Sequence, residues 1–176
     1  MYTAVFPTAL GEFGIGWTDR GISRLLLPDD RSDRVAPHIH GEASEPSAAI
    51  FNAIGMIQRY AEGERVSFAA LELDLTGVPE FHRRAYALLA EVGYGETTTY
   101  GALARRMGDL SLARAVGQAM GANPVPLILP CHRVLGANGV LGGFSAPGGS
   151  DSKRRLLLLE GARTSAAPAS QLALDF

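Results

Sequence analysis

The sequence predicts an α+β protein, and three observations carry that prediction. Near the N-terminus, short apolar runs alternate with glycine-bearing turns, the pattern of antiparallel strands. Between residues 79 and 122, three amphipathic stripes follow one another at helical spacing. At Thr76-Gly77-Val78 the apolar period changes from two to about 3.6. That change divides the chain into a small αβ domain over residues 1–76, a mainly helical domain over 77–163 and a tail over 164–176.

Residues 2–7, 12–18 and 21–27 read as the strands of a meander, the last stopped by Pro28. The charged stretch 28–46 reads as an irregular connection. Ser47 is placed to cap a helix through Ile50, Phe51, Ile54, Ile57 and Gln58 that ends near Gly63. Leu71, Leu73 and Leu75 alternate with Glu72 and Asp74, which predicts a half-buried strand.

Pro79 suits the first position of a helix whose core face is Phe81, Ala85, Leu88, Leu89 and Val92. A second helix follows Thr97-Thr98-Thr99, with Leu103, Ala104 and Met107 on one side and Gly108 as its stop. The third runs from about Leu112 to Ala122, with Leu112, Ala115, Val116, Ala119 and Met120 inward. Its other face is Ala113, Arg114, Gly117, Gln118 and Gly121. Two exposed helical glycines cost about 1 kcal/mol each against alanine, so something is expected to approach that face closely. Either a DNA-reading helix-turn-helix or plain helical packing fits this pattern.

The bulk composition excludes several classes. A single cysteine forbids an internal disulfide, fits a reducing cytoplasm and leaves one free thiol to explain. No metal-ligand spacing occurs among one cysteine and four histidines. The N-terminus lacks the basic start and apolar core of a signal peptide, and no run reaches membrane-spanning length, so a cytoplasmic protein is expected. The net charge of -2 gives no bulk signal for nucleic acid. Locally, Arg83, Arg84, Arg105, Arg106, Arg114 and Lys153-Arg154-Arg155 are basic; each is either a phosphate contact or a solvated helix face.

The lone thiol lies in Asn123-Pro-Val-Pro-Leu-Ile-Leu-Pro-Cys-His-Arg-Val. An apolar run over 125–129 ends at Pro130, which terminates a strand or forces a turn and sets Cys131 at its lip. A lone cysteine is commonly a small buried hydrophobe. Here His132 and Arg133 adjoin it, and a basic neighbour promotes the reactive thiolate.

This stretch, together with Thr98-Thr-Tyr-Gly, Ala113-Arg-Ala-Val-Gly-Gln-Ala-Met and Gly142-Gly-Phe-Ser145, resembles the O6-alkylguanine-DNA alkyltransferases. The resemblance is strong over about residues 79–163. It implies a ribonuclease-H-like N-terminal domain followed by a winged-helix-like domain with a helix-turn-helix. It also implies DNA repair by direct reversal: Cys131 takes the alkyl group from O6-alkylguanine irreversibly and acts once. O4-alkylthymine is a second substrate the resemblance allows, and neither cofactor nor metal takes part.

Residue by residue, the resemblance makes His132 the base and Glu160 the acid that orients it through a Cys-water-His-Glu relay. Tyr100 donates toward guanine N3, Ser145 lies near O6, and Asn123 is the hinge. Val134 and the Cys131 carbonyl accept from the guanine amino group. Arg114 replaces the flipped nucleotide in the stack, while Ala113, Gly117, Gln118 and Gly121 face a minor groove that admits small side chains. From spacing alone Tyr100 reads better as part of the core stripe, and the other reading of Glu160, a surface carboxylate near a helix C-terminus, is disfavoured by the helix dipole.

Three departures stand out, the first being that the structural-zinc ligands of some members are absent for want of a second cysteine. Ala85-Tyr86 replaces the family's usual Val-Trp, and Phe144 stands where many members carry tyrosine at the pocket edge. Non-catalytic lesion-binding proteins of the same fold are the alternative, but they commonly carry tryptophan at the cysteine position. The expected partner is double-stranded DNA, bound by a monomer. The tail ends in Gln171-Leu172-Ala-Leu174-Asp-Phe176, which resembles a bacterial sliding-clamp motif or else packs as an apolar end.

Overall fold

The computed structural model describes residues 1–28, 38–142 and 149–162. The expected meander is present as β1 (Tyr2–Thr8), β2 (Gly11–Thr18) and β3 (Gly21–Leu26). A two-residue strand, β4 (Glu42–Ala43), pairs parallel to β1 and completes a sheet of order β3-β2-β1-β4. The sequence had suggested only an irregular connection there. Register pairs Phe6 with Phe13 and Tyr2 with Trp17. Helix α1 (Ala48–Ala61) opens where Ser47 Oγ accepts from the Ile50 N–H at 3.4 Å. It buries Ile50, Ala53, Ile54, Ile57, Tyr60 and Ala61, one face at helical spacing, and leaves Phe51 exposed.

The strand expected over 71–75 does not form. Only one parallel bridge, Ile22 with Leu73, survives. Asp74 is buried, where alternation had placed it outside, and accepts from Thr18 Oγ1 at 2.6 Å and the Thr76 N–H at 3.0 Å. Those bonds turn the chain away before a ladder can extend.

Helix α2 (Glu80–Ala90) follows Pro79, which lies just outside it as the cap residue. The strand β5 (Thr98–Thr99) leads directly into α3 (Tyr100–Arg106), whose first turn Thr99 caps by accepting from Ala102 N–H at 3.0 Å. A 3-10 turn at Leu110–Leu112 separates α3 from α4 (Ala113–Gly121), and the two helices pack together as a helix-turn-helix arrangement. Tyr86 is fully buried and donates to Ala119 O at 2.7 Å, so its hydroxyl finds a partner while joining α2 to α4.

Residues 125–129 form a buried turn, the second of the two outcomes that Pro130 allowed. Asn123 closes it from both sides, accepting from the Val125 N–H at 3.0 Å and donating to Leu129 O at 2.8 Å. Leu127 has a φ of 77°, and the prolines at 124, 126 and 130 supply no ladder donors. Beyond Cys131, β6 (Val134–Leu135) pairs parallel with β5, tying the thiol's turn to the start of α3. Helix α5 (Gly149–Leu159) ends beside this turn. One contiguous core includes Phe13 and Tyr60 from the N-terminal elements and Leu103, Val116 and Cys131 from the rest.

Candidate active site

Cys131 opens a 3-10 turn, Cys131–Arg133, and is only 4% exposed. The Leu129 carbonyl accepts from its N–H at 2.8 Å, and the Pro130 carbonyl accepts from that of Arg133 at 2.9 Å. Burial pushes the Cys131 thiol up; the Asn123 amide, the Lys153 ammonium and the backbone N–H groups of Cys131 and His132 pull the other way without prevailing. The resting group is therefore a thiol, not a thiolate. Proximity in sequence had offered Arg133 as the cationic neighbour, but the guanidinium turns to Glu160 and the cation near the sulfur is Lys153.

Glu160 is buried at the end of α5, not on the surface, and five donors converge on its carboxylate. Oε1 receives Tyr60 Oη at 2.7 Å, His132 Nε2 at 2.7 Å and Arg133 Nη2 at 2.9 Å. Oε2 receives Arg133 Nε at 2.9 Å and the Gly95 N–H at 3.0 Å. Arg133 also donates through Nη1 to Val92 O at 2.6 Å. Burial opposes ionisation of Glu160, yet the bonds from His132, Arg133 and Tyr60 outweigh it and hold the carboxyl well below its usual range. An ionised Glu160 accepts only, so Nε2 of a neutral His132 carries the proton. Nδ1 then presents a lone pair, and among the described residues it has no hydrogen-bond partner. His132 is neutral because burial lowers its pKa more than Glu160 raises it.

Lys153, the chain's single lysine, is fully buried; counting it with the solvated basic residues fails, although Arg154 and Arg155 are exposed. Its Nζ donates to Val134 O at 2.6 Å and lies 5.8 Å from the Tyr100 ring centroid. Tyr100 is half-buried, with Gly142 and Gly117 against its ring. A Cβ at Gly142 would stand 3.3 Å from Cε2, too close without displacement of the ring. Burial, then the nearby Cys131, raise its pKa, so Tyr100 stays a proton donor. On α4, Arg114, Gln118 and Gly121 are exposed while Ala113 and Gly117 are half-buried. Phe144, Ser145 and the tail residues Gln171, Leu172, Leu174 and Phe176 lie outside the described residues.

Sequence reasoning missed Lys153, Tyr60 and Gly95 and misassigned Arg133. One signal was available. Lys153, Leu156, Leu157 and Glu160 recur at i, i+3, i+4 and i+7, which places a lysine and a glutamate on the buried stripe of α5. Among the described residues, no three His, Cys, Asp or Glu side chains are grouped to hold a metal ion.

This centre makes stability pH-dependent. His132 and Glu160 both have lowered pKa values, so the unfolded chain binds more protons and stability rises with pH through each window. The window opens below about 6.5 for His132 and below about 4.3 for Glu160. The contribution of ionised Glu160 is complete above that value and is lost as pH falls toward its depressed folded pKa. Urea midpoints measured from about pH 7.5 to about pH 2.5 are expected to fall in two stages. His132→Gln should remove the first stage; its persistence in that variant would count against the assignment.

Fold and site together define an α+β protein whose one thiol is followed in sequence by a buried histidine bonded to an ionised glutamate. Residues 80–162 match the family model for the 6-O-methylguanine DNA methyltransferase DNA-binding domain. A methylated-DNA–protein-cysteine methyltransferase of Methanosarcina acetivorans is 35% identical over 161 residues, covering 92% of this chain and 99% of that one. Its counterpart from Mycolicibacterium paratuberculosis is 44% identical over 117 residues, 66% of this chain and 68% of the relative. A crystal structure of Mycobacterium tuberculosis OGT in complex with DNA superposes with a TM-score of 0.75 at 32% identity, covering 92% of this chain and 93% of that one. The chain belongs to the methylated-DNA–protein-cysteine methyltransferase family. It is a DNA-repair enzyme that works by alkyl transfer.

Proposed function

We propose that Cys131 is the one-use acceptor of an alkyl group carried on O6 of guanine in duplex DNA. The sulfur attacks the alkyl carbon, the carbon–oxygen bond breaks with its electron pair on the guanine, and the alkyl group remains as a thioether. The observation that carries this reading is the buried thiol of the only cysteine beside a histidine whose Nε2 is tied to Glu160 at 2.7 Å. His132 takes the thiol proton through Nδ1, by way of a water, and Glu160 stabilises the imidazolium.

The guanine anion must be neutralised as it departs. Tyr100 supplies a proton toward N3, and Ser145 supplies a hydroxyl toward O6; donors placed where charge develops act on the transition state. The carbonyls of Cys131 and Val134 accept from the guanine amino group. Val134 O already accepts from Lys153, but a carbonyl has a second lone pair. Asn123, which closes the turn from both sides, carries motion of α4 to the thiol. Phe144 shapes the alkyl side of the pocket.

A thiol this deep cannot meet a stacked base, so the nucleotide must leave the duplex. Arg114, exposed on α4, fills the gap, and Ala113, Gly117, Gln118 and Gly121 allow α4 into the minor groove. In this reading residues 1–76 are a ribonuclease-H-like domain, residues 77–163 a winged-helix-like domain, and the protein acts as a cytoplasmic monomer. Gln171, Leu172, Leu174 and Phe176 tether the tail to a sliding clamp, which recovery of intact protein, but not of protein cut after Ser170, on purified clamp would support.

The deciding experiment uses duplex DNA with O6-methylguanine labelled in the methyl group. Label should reach one methyl per chain, stop there, and map by mass spectrometry to the peptide containing Cys131. Continuous release of label, or its appearance on another residue, would refute the assignment.

A further inference from the structure

Of the five donors on Glu160, Tyr60 comes from α1, outside the stretch that the family model matches at 80–162. Its hydroxyl reaches Oε1 at 2.7 Å, the same oxygen that His132 Nε2 meets at 2.7 Å. Tyr60, His132 and the Glu160 side chain are all without solvent exposure, so water does not compete for these bonds. We propose that Tyr60 is a positioning residue for the transfer centre: its hydroxyl fixes Glu160 Oε1 and sets how strongly that oxygen favours a proton on His132. This rests on the reading of His132 as the base for Cys131.

The physical argument is one of shared charge. A carboxylate oxygen that accepts three hydrogen bonds distributes its negative charge among them, and each donor weakens its pull on the others. Withdrawing the Tyr60 hydroxyl leaves His132 and Arg133 on Oε1. The imidazolium then gains a stronger partner, His132 becomes more basic, and the Cys131–His132 ion pair forms at lower pH. Tyr60 itself stays protonated, since burial first and Glu160 second raise its pKa far above the working range.

The other charged or titratable groups are in place in both states. Arg133 and Lys153 act against a proton on His132, and Tyr94 adjoins both Tyr60 and Glu160. Lys153, Tyr100 and Tyr86 are the charged or titratable groups that interact electrostatically with the thiol. None of them is altered by Tyr60→Phe, which also keeps the ring packed at 5.8 Å from Phe68 and 5.9 Å from Tyr94.

The test titrates the full chain. Thiolate absorbance, corrected by subtracting Cys131→Ser, reports the only cysteine and needs no DNA. Methyl-transfer rate against pH gives a second profile. In Tyr60→Phe both midpoints should move down by roughly half to one unit, with the far-ultraviolet circular dichroism of the native fold retained. Phe68→Leu disturbs the same aromatic cluster without touching Glu160, so it should lower Tm and leave the midpoints in place. A native midpoint in Tyr60→Phe would overturn the proposal and reduce Tyr60 to packing. His132→Gln separates the two readings: if its thiol also titrates as in the native chain, the base assignment falls and the role of Tyr60 falls with it.

Discussion

Glu160→Gln is expected to lower both stability and transfer sharply, although the two side chains have nearly the same shape. All five of the groups around the carboxylate donate. An amide in its place must turn its NH2 toward Tyr60, His132 and Arg133 Nη2, or toward Arg133 Nε and Gly95, and either way donors face donors. Arg133, 6% exposed, would also lose its only counter-charge among the described residues. Breaking a buried pair by removing one partner costs about 3–5 kcal/mol. Total stability of a domain is about 5–15 kcal/mol, so the loss is large enough to move the urea midpoint well outside error.

Transfer suffers for a separate reason. Without an anion at Nε2, nothing among the described residues fixes the tautomer that leaves Nδ1 free to accept, and the imidazolium is no longer stabilised. Loss of a positioned base costs about 10²–10⁴-fold in rate. Single-turnover methyl transfer, measured at a temperature where the variant is still folded, checks this. Near-native values for both the midpoint and the rate would show that the carboxylate is dispensable.

Much of this centre was legible in the sequence, and the part that was not has a common cause. The meander, α1, α2, α3 and α4 follow from apolar spacing and caps, which are local properties. Cys131, His132, Asn123 and Glu160 follow from a motif, and the structure brings Asn123, His132 and Glu160 around the thiol's turn. The run 125–129 left strand and turn both open because apolar content reports burial, whereas strand or turn is decided by where the N–H groups go. The segment 71–75 did mislead: Asp74 looked solvent-facing by period, yet Thr18 and Thr76 satisfy its oxygens inside.

Tyr60 fits α1's core stripe, and nothing local tells that its hydroxyl meets a carboxylate 100 residues away. Arg133 adjoins the thiol in sequence, but within the 3-10 turn its side chain goes to Glu160 and to Val92 O. Lys153 was the readable exception. A chain that otherwise uses arginine keeps one lysine, and it falls on a buried stripe where only a specific partner stabilises it.

Cys131→Ser is expected to transfer no label at all, a loss of at least about 10⁴-fold, while still binding duplex DNA. The substitution is small: serine occupies less volume, and its hydroxyl can use the Asn123 amide that already acts on the thiol. The stability change should therefore stay within about 2 kcal/mol. Chemistry sets the difference from Glu160→Gln. Removing the carboxylate weakens a base, but the sulfur can still reach its thiolate as pH is raised. A buried serine has no such route, because its alkoxide is far harder to form and burial penalises it at least as much as the thiolate. Nucleophile and base also act as one unit, so adding Glu160→Gln to Cys131→Ser should leave the label count unchanged at zero. Gel-shift affinity for O6-methylguanine duplex, held beside a label count of zero, would separate DNA binding from reaction at the thiol. Label on the serine variant would place the acceptor at another residue.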